Sequence, residues 1–220
     1  MPINPKYLVD FQEFGIYHVF NRTNNKEKLF LSDENRNFFL RKYAQYLHPF
    51  TETFAWCLLD NHFHFLIRIK SLEKIKATLN SSELSELSAT EKKFLKDTIP
   101  CSELIEHAFK RFFQSYALAF NKVHNRKGNL FYKPFKRVEI KNESHFTQAI
   151  IYIHTNPAKH FVSKDFTKWK WSSYQAILSD LKTNLMKDEV LNWFGDKDQF
   201  IKIHLEKASV YFEEYFSIEE

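Results

Sequence analysis

The sequence predicts an α+β fold: a ferredoxin-like antiparallel sheet with helices, followed by a helical C-terminal extension. Three observations carry that expectation. Periodic segments follow the order strand, helix, strand, strand, helix, strand, helix. Two of the strands, 53–59 and 62–70, are separated by only Asp60-Asn61, which makes them a hairpin. Beyond Pro157 the apolar residues recur at helical spacing.

In chain order, "GIYHVFNR" (15–22) alternates as a half-buried strand does. "SDENRNFFLRKYAQYLHPF" offers Ser32 or Asp33 as an N-cap, then Phe38, Phe39, Tyr43, Tyr46 and Leu47 at helical spacing, and Pro49 ends it. The hairpin that follows lacks the usual turn glycine. Residues 71–101 begin as a short helix, then become rich in Ser, Glu and Lys; 80–101 reads as a loop or mobile insertion. The strongest helix spans 102–121, with Leu104, Ile105, Ala108, Phe112, Tyr116 and Phe120 along one face. "FKRVEIK" (135–141) alternates as a strand, and "SHFTQAIIYIHTNP" is a helix capped by Ser144 and stopped at Asn156-Pro157.

Composition narrows the class of protein. With 44% hydrophobic and 27% charged residues, the 220-residue chain has the make-up of a soluble globular protein, and 24 Phe point to a Phe-rich core. Cys57 and Cys101 form no metal-type pattern, so a reduced, cytoplasmic protein is expected. No run of 18 apolar residues and no signal-peptide layout appear, so no membrane partner is expected. A net charge of +5 leans towards a polyanionic partner.

The chemistry concentrates in "DNHFHFLIRIK" (60–70). On a strand, Phe63, Phe65, Ile67 and Ile69 face one way, and His62, His64, Leu66 and Arg68 the other. His62 and His64 are then about 7 Å apart at the backbone, close enough to converge on one metal ion. The third alternate position is Leu66, which excludes a histidine-triad hydrolase. Tyr152 and Asn156 are one helical turn apart. An Asn carbonyl is a hard ligand suited to Mg²⁺ or Mn²⁺, and a Tyr hydroxyl can attack a phosphate. Taken singly, Tyr152 also reads as a core aromatic and Asn156 as a helix C-cap.

Five motifs in order, "YHVFNR", "WCLLDNHFHFLI", "GNLFYKPFKR", "YIHTNP" and "WKWSSY", change that balance. Over residues 14–175 the chain resembles the HUH single-strand DNA transposases with one catalytic tyrosine, in the REP-associated tyrosine transposase branch. The resemblance implies a catalytic domain over 1–158 and a helical extension over 159–220. It implies His62, His64 and Asn156 as ligands of Mg²⁺ or Mn²⁺, and Tyr152 as the nucleophile that forms a 5′-phosphotyrosine. The implied partner is single-stranded DNA carrying a hairpin from a palindromic repeat, bound by a monomer or homodimer. Where many relatives have Pro before the first His, this chain has Asp60-Asn61.

Basic residues interleaved with aromatics supply candidate DNA contacts: Arg68, Lys122, Arg126, Lys127, Lys133, Lys136, Arg137, Lys168 and Lys170. Phe131, Phe135 and the Trp169/Trp171 pair read equally as packing residues. A non-catalytic DNA- or RNA-hairpin-binding relative is the alternative function.

Overall fold

The computed structural model describes residue 4 and residues 7–214. Its sheet has four antiparallel strands: β1 (Ile16–Arg22), β2 (Thr51–Leu58), β3 (His62–Ile69) and β4 (Lys136–Glu139). Their order is β2-β3-β1-β4, the ferredoxin-like arrangement, so the strand bearing the two histidines is central.

One face of the sheet is covered by α1 (Asp33–Leu47) and α4 (Cys101–Val123). Ser32 caps α1 by accepting a hydrogen bond from the Asn35 amide. Phe63, Phe65, Ile67 and Ile69 point into this layer, where the Phe65 ring stacks on Tyr43 at 4.1 Å and on Phe39 at 6.2 Å. Alternation sends Leu66 to the opposite face, into a second core beneath α5 (Glu143–Lys159). A β-bulge between Thr53 and Ala55 shifts the register of β2, so both Phe54 and Ala55 join the second core.

The hairpin between β2 and β3 replaces the missing glycine with long-range bonds. Leu59 N–H donates to His62 C=O at 2.9 Å, and the Asp60 carbonyl accepts from Leu29 and Phe30. The Asp60 carboxylate pairs with Arg36 at 3.0 Å. This fixes the corner immediately before His62.

Three boundaries differ from expectation. Asn142, not Ser144, caps α5, its side chain accepting from the His145 amide. That helix also runs through Pro157 to Lys159: proline in the last turn costs only its bond to Ile153, and the end is closed beyond it by Val162 and Ser163 amides on the Pro157 carbonyl. Residues 80–101 include a helix, α3 (Ala89–Leu95), which follows α2 (Leu72–Asn80) and starts with a Ser88/Glu91 capping box. No helix among the described residues is long and apolar enough to cross a membrane.

The chain after α5 forms α6 (Tyr174–Leu178), α7 (Lys187–Phe194) and α8 (Lys197–Glu214). Its approach covers the β2 edge: Leu58 N–H donates to Trp171 C=O and Ser173 N–H to Trp56 C=O. A buried chain of hydrogen bonds then ties α5 in place. His204 Nδ1 lies 2.7 Å from the Phe200 carbonyl, which only accepts, so His204 carries its proton there. Its Nε2 therefore accepts from His154 Nδ1–H at 2.9 Å, and His154 Nε2 accepts from the Ser173 hydroxyl at 2.8 Å. Ser173 Oγ in turn accepts from the Trp56 amide.

Burial holds the His154 imidazole well below its usual pKa and brings His204 down to about 4. Unfolded histidine binds its proton near pH 6.5, so stability supplied by the neutral pair is full above that value. It is lost progressively as pH falls from 6.5 towards 4. At about pH 5.5, long-range ¹H–¹⁵N spectra should show both rings neutral and protonated at Nδ1. A doubly protonated ring at either position would contradict the bonding order.

Candidate functional site

On the α5 face of the sheet, antiparallel register brings three histidines together. Phe20 is paired with His64 and Arg22 with His62, which puts His18, two residues along β1, diagonally beside His64. His18 Nε2 and His64 Nδ1 are 2.9 Å apart. The His62 and His64 rings lie 5.2 Å apart, nearly perpendicular. From above, Tyr152 on α5 sets its ring 5.6 Å from His64 and 5.8 Å from His18. The phenol and the histidine pair thus share one face of one chain.

Two further residues of α5 and its cap complete the cluster. Lys159 Nζ sits 4.8 Å from the centre of the Tyr152 ring, and the His160 ring packs edge-on against His62 at 4.6 Å. Positions 152, 156, 159 and 160 fall on one helical face. Tyr152 is 9% exposed and His64 1%, whereas His62, Lys159 and His160 are half-buried, so the cluster opens to solvent through those three.

The tautomers suit metal binding. His62 Nδ1 is 2.7 Å from Asn61 Oδ1, an acceptor, so the proton of neutral His62 resides on Nδ1 and the lone pair on Nε2. When His64 donates from Nδ1 to His18, its lone pair is likewise on Nε2. Asn61 thereby orients the His62 ring. Asn156 is fully buried, donates Nδ2–H to the Tyr152 carbonyl at 3.1 Å, and leaves Oδ1 buried without a hydrogen-bond donor. A buried carbonyl oxygen in that condition fits a cation ligand. His160, not Asn156, caps the helix. Among the described residues, no three His, Cys, Asp or Glu side chains come together as a metal-binding group, and the expected set uses Asn156 in place of one of them.

The residues expected at a DNA interface divide into two kinds. Arg68 is held by Glu52 at 2.7 Å and by Glu189 of α7 at 2.6 Å, and its pKa is raised by those partners against desolvation. Arg137 is buried, bonded to the Val9 carbonyl and Glu106, over the Phe11 ring. Arg126 is fixed to Glu27 at 2.6 Å, Lys168 to Asp165 at 3.2 Å, and Lys170 to Asp33. Lys136 lies over the Tyr7 and Phe20 rings. Lys122, Lys127 and Lys133 stand exposed. Phe131 and Phe135 pack into the first core, and the Trp169 and Trp171 indoles donate to Leu58 C=O and Asp33.

Sequence reasoning did not single out His18, Lys159 or His160. For His18 the signal was present in the alternation of "YHVFNR", but the strand register was needed to aim it at His64. Lys159 and His160 were hidden by ending the helix at Pro157.

No family model matches the chain, and no curated protein matches it. In three dimensions it is similar to a REP-associated tyrosine transposase solved bound to a REP hairpin, with 16% sequence identity and a TM-score of 0.48, over 84% of this chain and 90% of that one.

Replacing Arg68 with Gln should lower unfolding free energy by about 1–3 kcal/mol, because two part-buried carboxylates lose their partner. Urea unfolding measures this. An unchanged midpoint with weakened oligonucleotide binding would instead return Arg68 to the DNA interface.

Proposed function

We propose that this chain is a metal-dependent, single-stranded DNA endonuclease and strand transferase, acting at hairpin-containing DNA through a 5′-phosphotyrosine intermediate. The observation that carries the reading is the Tyr152 ring packed 5.6 Å from His64, beside His62, within one chain. The five ordered motifs support it from the sequence side. A monomer is sufficient, since nucleophile and histidines belong to the same chain. We assign the catalytic unit to residues 1–158, to which Lys159 at the end of the same helix adds its charge, and treat the rest of 159–220 as its extension.

A phosphodiester resists attack because its anionic oxygens repel the nucleophile. A divalent ion, Mg²⁺ or Mn²⁺, bound by His62, His64 and Asn156 would draw charge from those oxygens. Imidazole is the softer partner, which favours Mn²⁺. His18 and Asn61 hold the two imidazoles in the tautomer and orientation that leave Nε2 available. Tyr152 Oη attacks phosphorus in line and loses its proton as the O–P bond forms. The P–O3′ bond breaks, and the 3′ oxygen takes up a proton and departs as a hydroxyl. Lys159 supplies positive charge beside the phenol, where negative charge develops. Attack by a 3′-OH on the phosphotyrosine reverses these bonds, so strand rejoining needs no nucleotide hydrolysis.

Incubation with a single-stranded hairpin oligonucleotide and Mn²⁺ should yield a protein–DNA adduct that survives denaturing electrophoresis. Tyr152→Phe should abolish the adduct while binding persists. Chelation, or Asn156→Leu, should reduce its rate at least about tenfold. A hairpin binder that never forms the adduct would favour the non-catalytic alternative.

Should His18 act by orienting His64, His18→Ala should raise the Mn²⁺ concentration needed for half-maximal adduct formation about 10–100-fold. An equal rate at every Mn²⁺ concentration would leave His18 without that role.

A further inference from the structure

The buried stripe of α1 runs Arg36, Phe39, Tyr43, Leu47, so an arginine occupies the first position of an otherwise aromatic and aliphatic face. Arg36 is 8% exposed, and its guanidinium lies 5.5, 5.8 and 5.5 Å from the rings of Phe30, Trp169 and Trp171. Its nearest carboxylate oxygen is Asp60 Oδ1, 3.0 Å from Nη2, with Asp33 farther off at 3.7 Å. Its Nε is buried with no hydrogen-bond partner among the described residues. This cation has exchanged hydration for one close carboxylate and three aromatic faces. Such a pair gains little stability over apolar side chains of the same volume, which directs attention to what it holds in place. We propose that Arg36 is a positioning residue for His62, acting through Asp60 and Asn61. The inference rests on the proposed function, since His62 is there a metal ligand, and adds a remote determinant of its geometry.

The aromatic cage around Arg36 is tied to both arms of the β2–β3 hairpin. Phe30 donates its N–H to the Asp60 carbonyl at 3.1 Å, beside Leu29 at 2.7 Å. On the other arm, the Trp169 indole donates to Leu58 C=O at 3.1 Å, and Leu58 N–H donates to Trp171 C=O at 2.8 Å. The Trp171 indole returns to α1 by donating to Asp33 at 3.1 Å. The end of β2 and the Asp60 corner therefore sit in one frame. Two of its three rings come from the "WKWSSY" motif, which lies outside the catalytic unit.

Asp60 carries this frame to the histidines. Its carboxylate is held by Arg36 and its carbonyl by two amides, which restricts the peptide that leads into Asn61. The Asn61 carbonyl accepts from Thr23 N–H at 2.9 Å, and its side-chain oxygen accepts from His62 Nδ1–H at 2.7 Å. That last bond decides which ring nitrogen of His62 carries the proton and which faces a metal. A turn without glycine takes its conformation from such outside bonds, and the Arg36–Asp60 pair is the one nearest the ligand.

The test uses the full chain without DNA and has two readouts. The ¹⁵N shifts of the His62 ring, recorded on metal-free protein at alkaline pH, report its tautomer, and the EPR signal of free Mn²⁺ reports affinity. Wild-type His62 should show the Nδ1–H tautomer alone. Asp60→Ala should mix the two tautomers and weaken Mn²⁺ binding about 10–100-fold. The Asp60 side chain is 43% exposed, so this change leaves the core filled. Arg36→Met keeps the cage occupied, leaves Asp60 to Lys28 and solvent, and should behave as Asp60→Ala does. Asp60→Asn, which still offers Arg36 an acceptor, should retain the single tautomer. A merely structural Arg36 would lower the urea midpoint and move neither readout. An unmixed tautomer with wild-type Mn²⁺ affinity, in whichever of Asp60→Ala and Arg36→Met folds, would therefore overturn the inference. Wild-type protein that binds Mn²⁺ yet forms no DNA adduct would overturn the proposed function and leave the role of Arg36 standing.

Discussion

Between Phe63 and His64 the backbone turns one side chain into an aromatic core and the next towards α5. Because the period is two, the residues that anchor β3 and the histidines it turns towards α5 are obligate neighbours. A one-residue slip of β3 would bury His62 and His64 among Phe39, Tyr43 and Phe112 and turn Phe63 and Phe65 towards Tyr152. The stacked Phe65–Tyr43 pair on one side thus protects the histidine register on the other. Placement of Tyr152 depends on the second core, where Phe54, Leu66 and Cys57 meet Phe146, Ile150 and Ile153 of α5.

The C-terminal helices contribute to the site without touching its chemistry. Their hydrogen-bonded chain from Phe200 through His204, His154 and Ser173 to Trp56 crosses from α8 through α5 to β2. Every donor in it has one acceptor, so it specifies where α5 sits along the sheet as well as how tightly. His154 is two residues from Tyr152, on the opposite side of the helix, and faces this chain while the phenol faces the histidines.

How much was legible in the sequence depended on how far each signal had to travel. Strand alternation in 62–70 is local, and it placed His62 and His64 on the α5 face and the phenylalanines opposite. Helical spacing is local too, and it set Tyr152 and Asn156 one turn apart. Charge was the least legible property: Arg68, Arg126 and Arg137 look like a polyanion surface in one dimension, yet Glu189, Glu27 and Glu106 reach them from 121, 99 and 31 residues away. Proline at 157 misled for a different reason, since the expected stop neglects that a helix in its final turn has few bonds left to lose.

In the proposed mechanism a cation bound at the histidine pair lies under the Tyr152 phenol. The most direct measurement is ¹⁹F NMR of protein labelled with 3-fluorotyrosine and titrated with Mn²⁺, with the Tyr152 resonance assigned by Tyr152→Phe. That line should broaden first among the ten tyrosines, and the selective broadening should vanish in His64→Ala. Uniform broadening of all lines, or a Tyr152 line that stays sharp while Mn²⁺ binds, would contradict it.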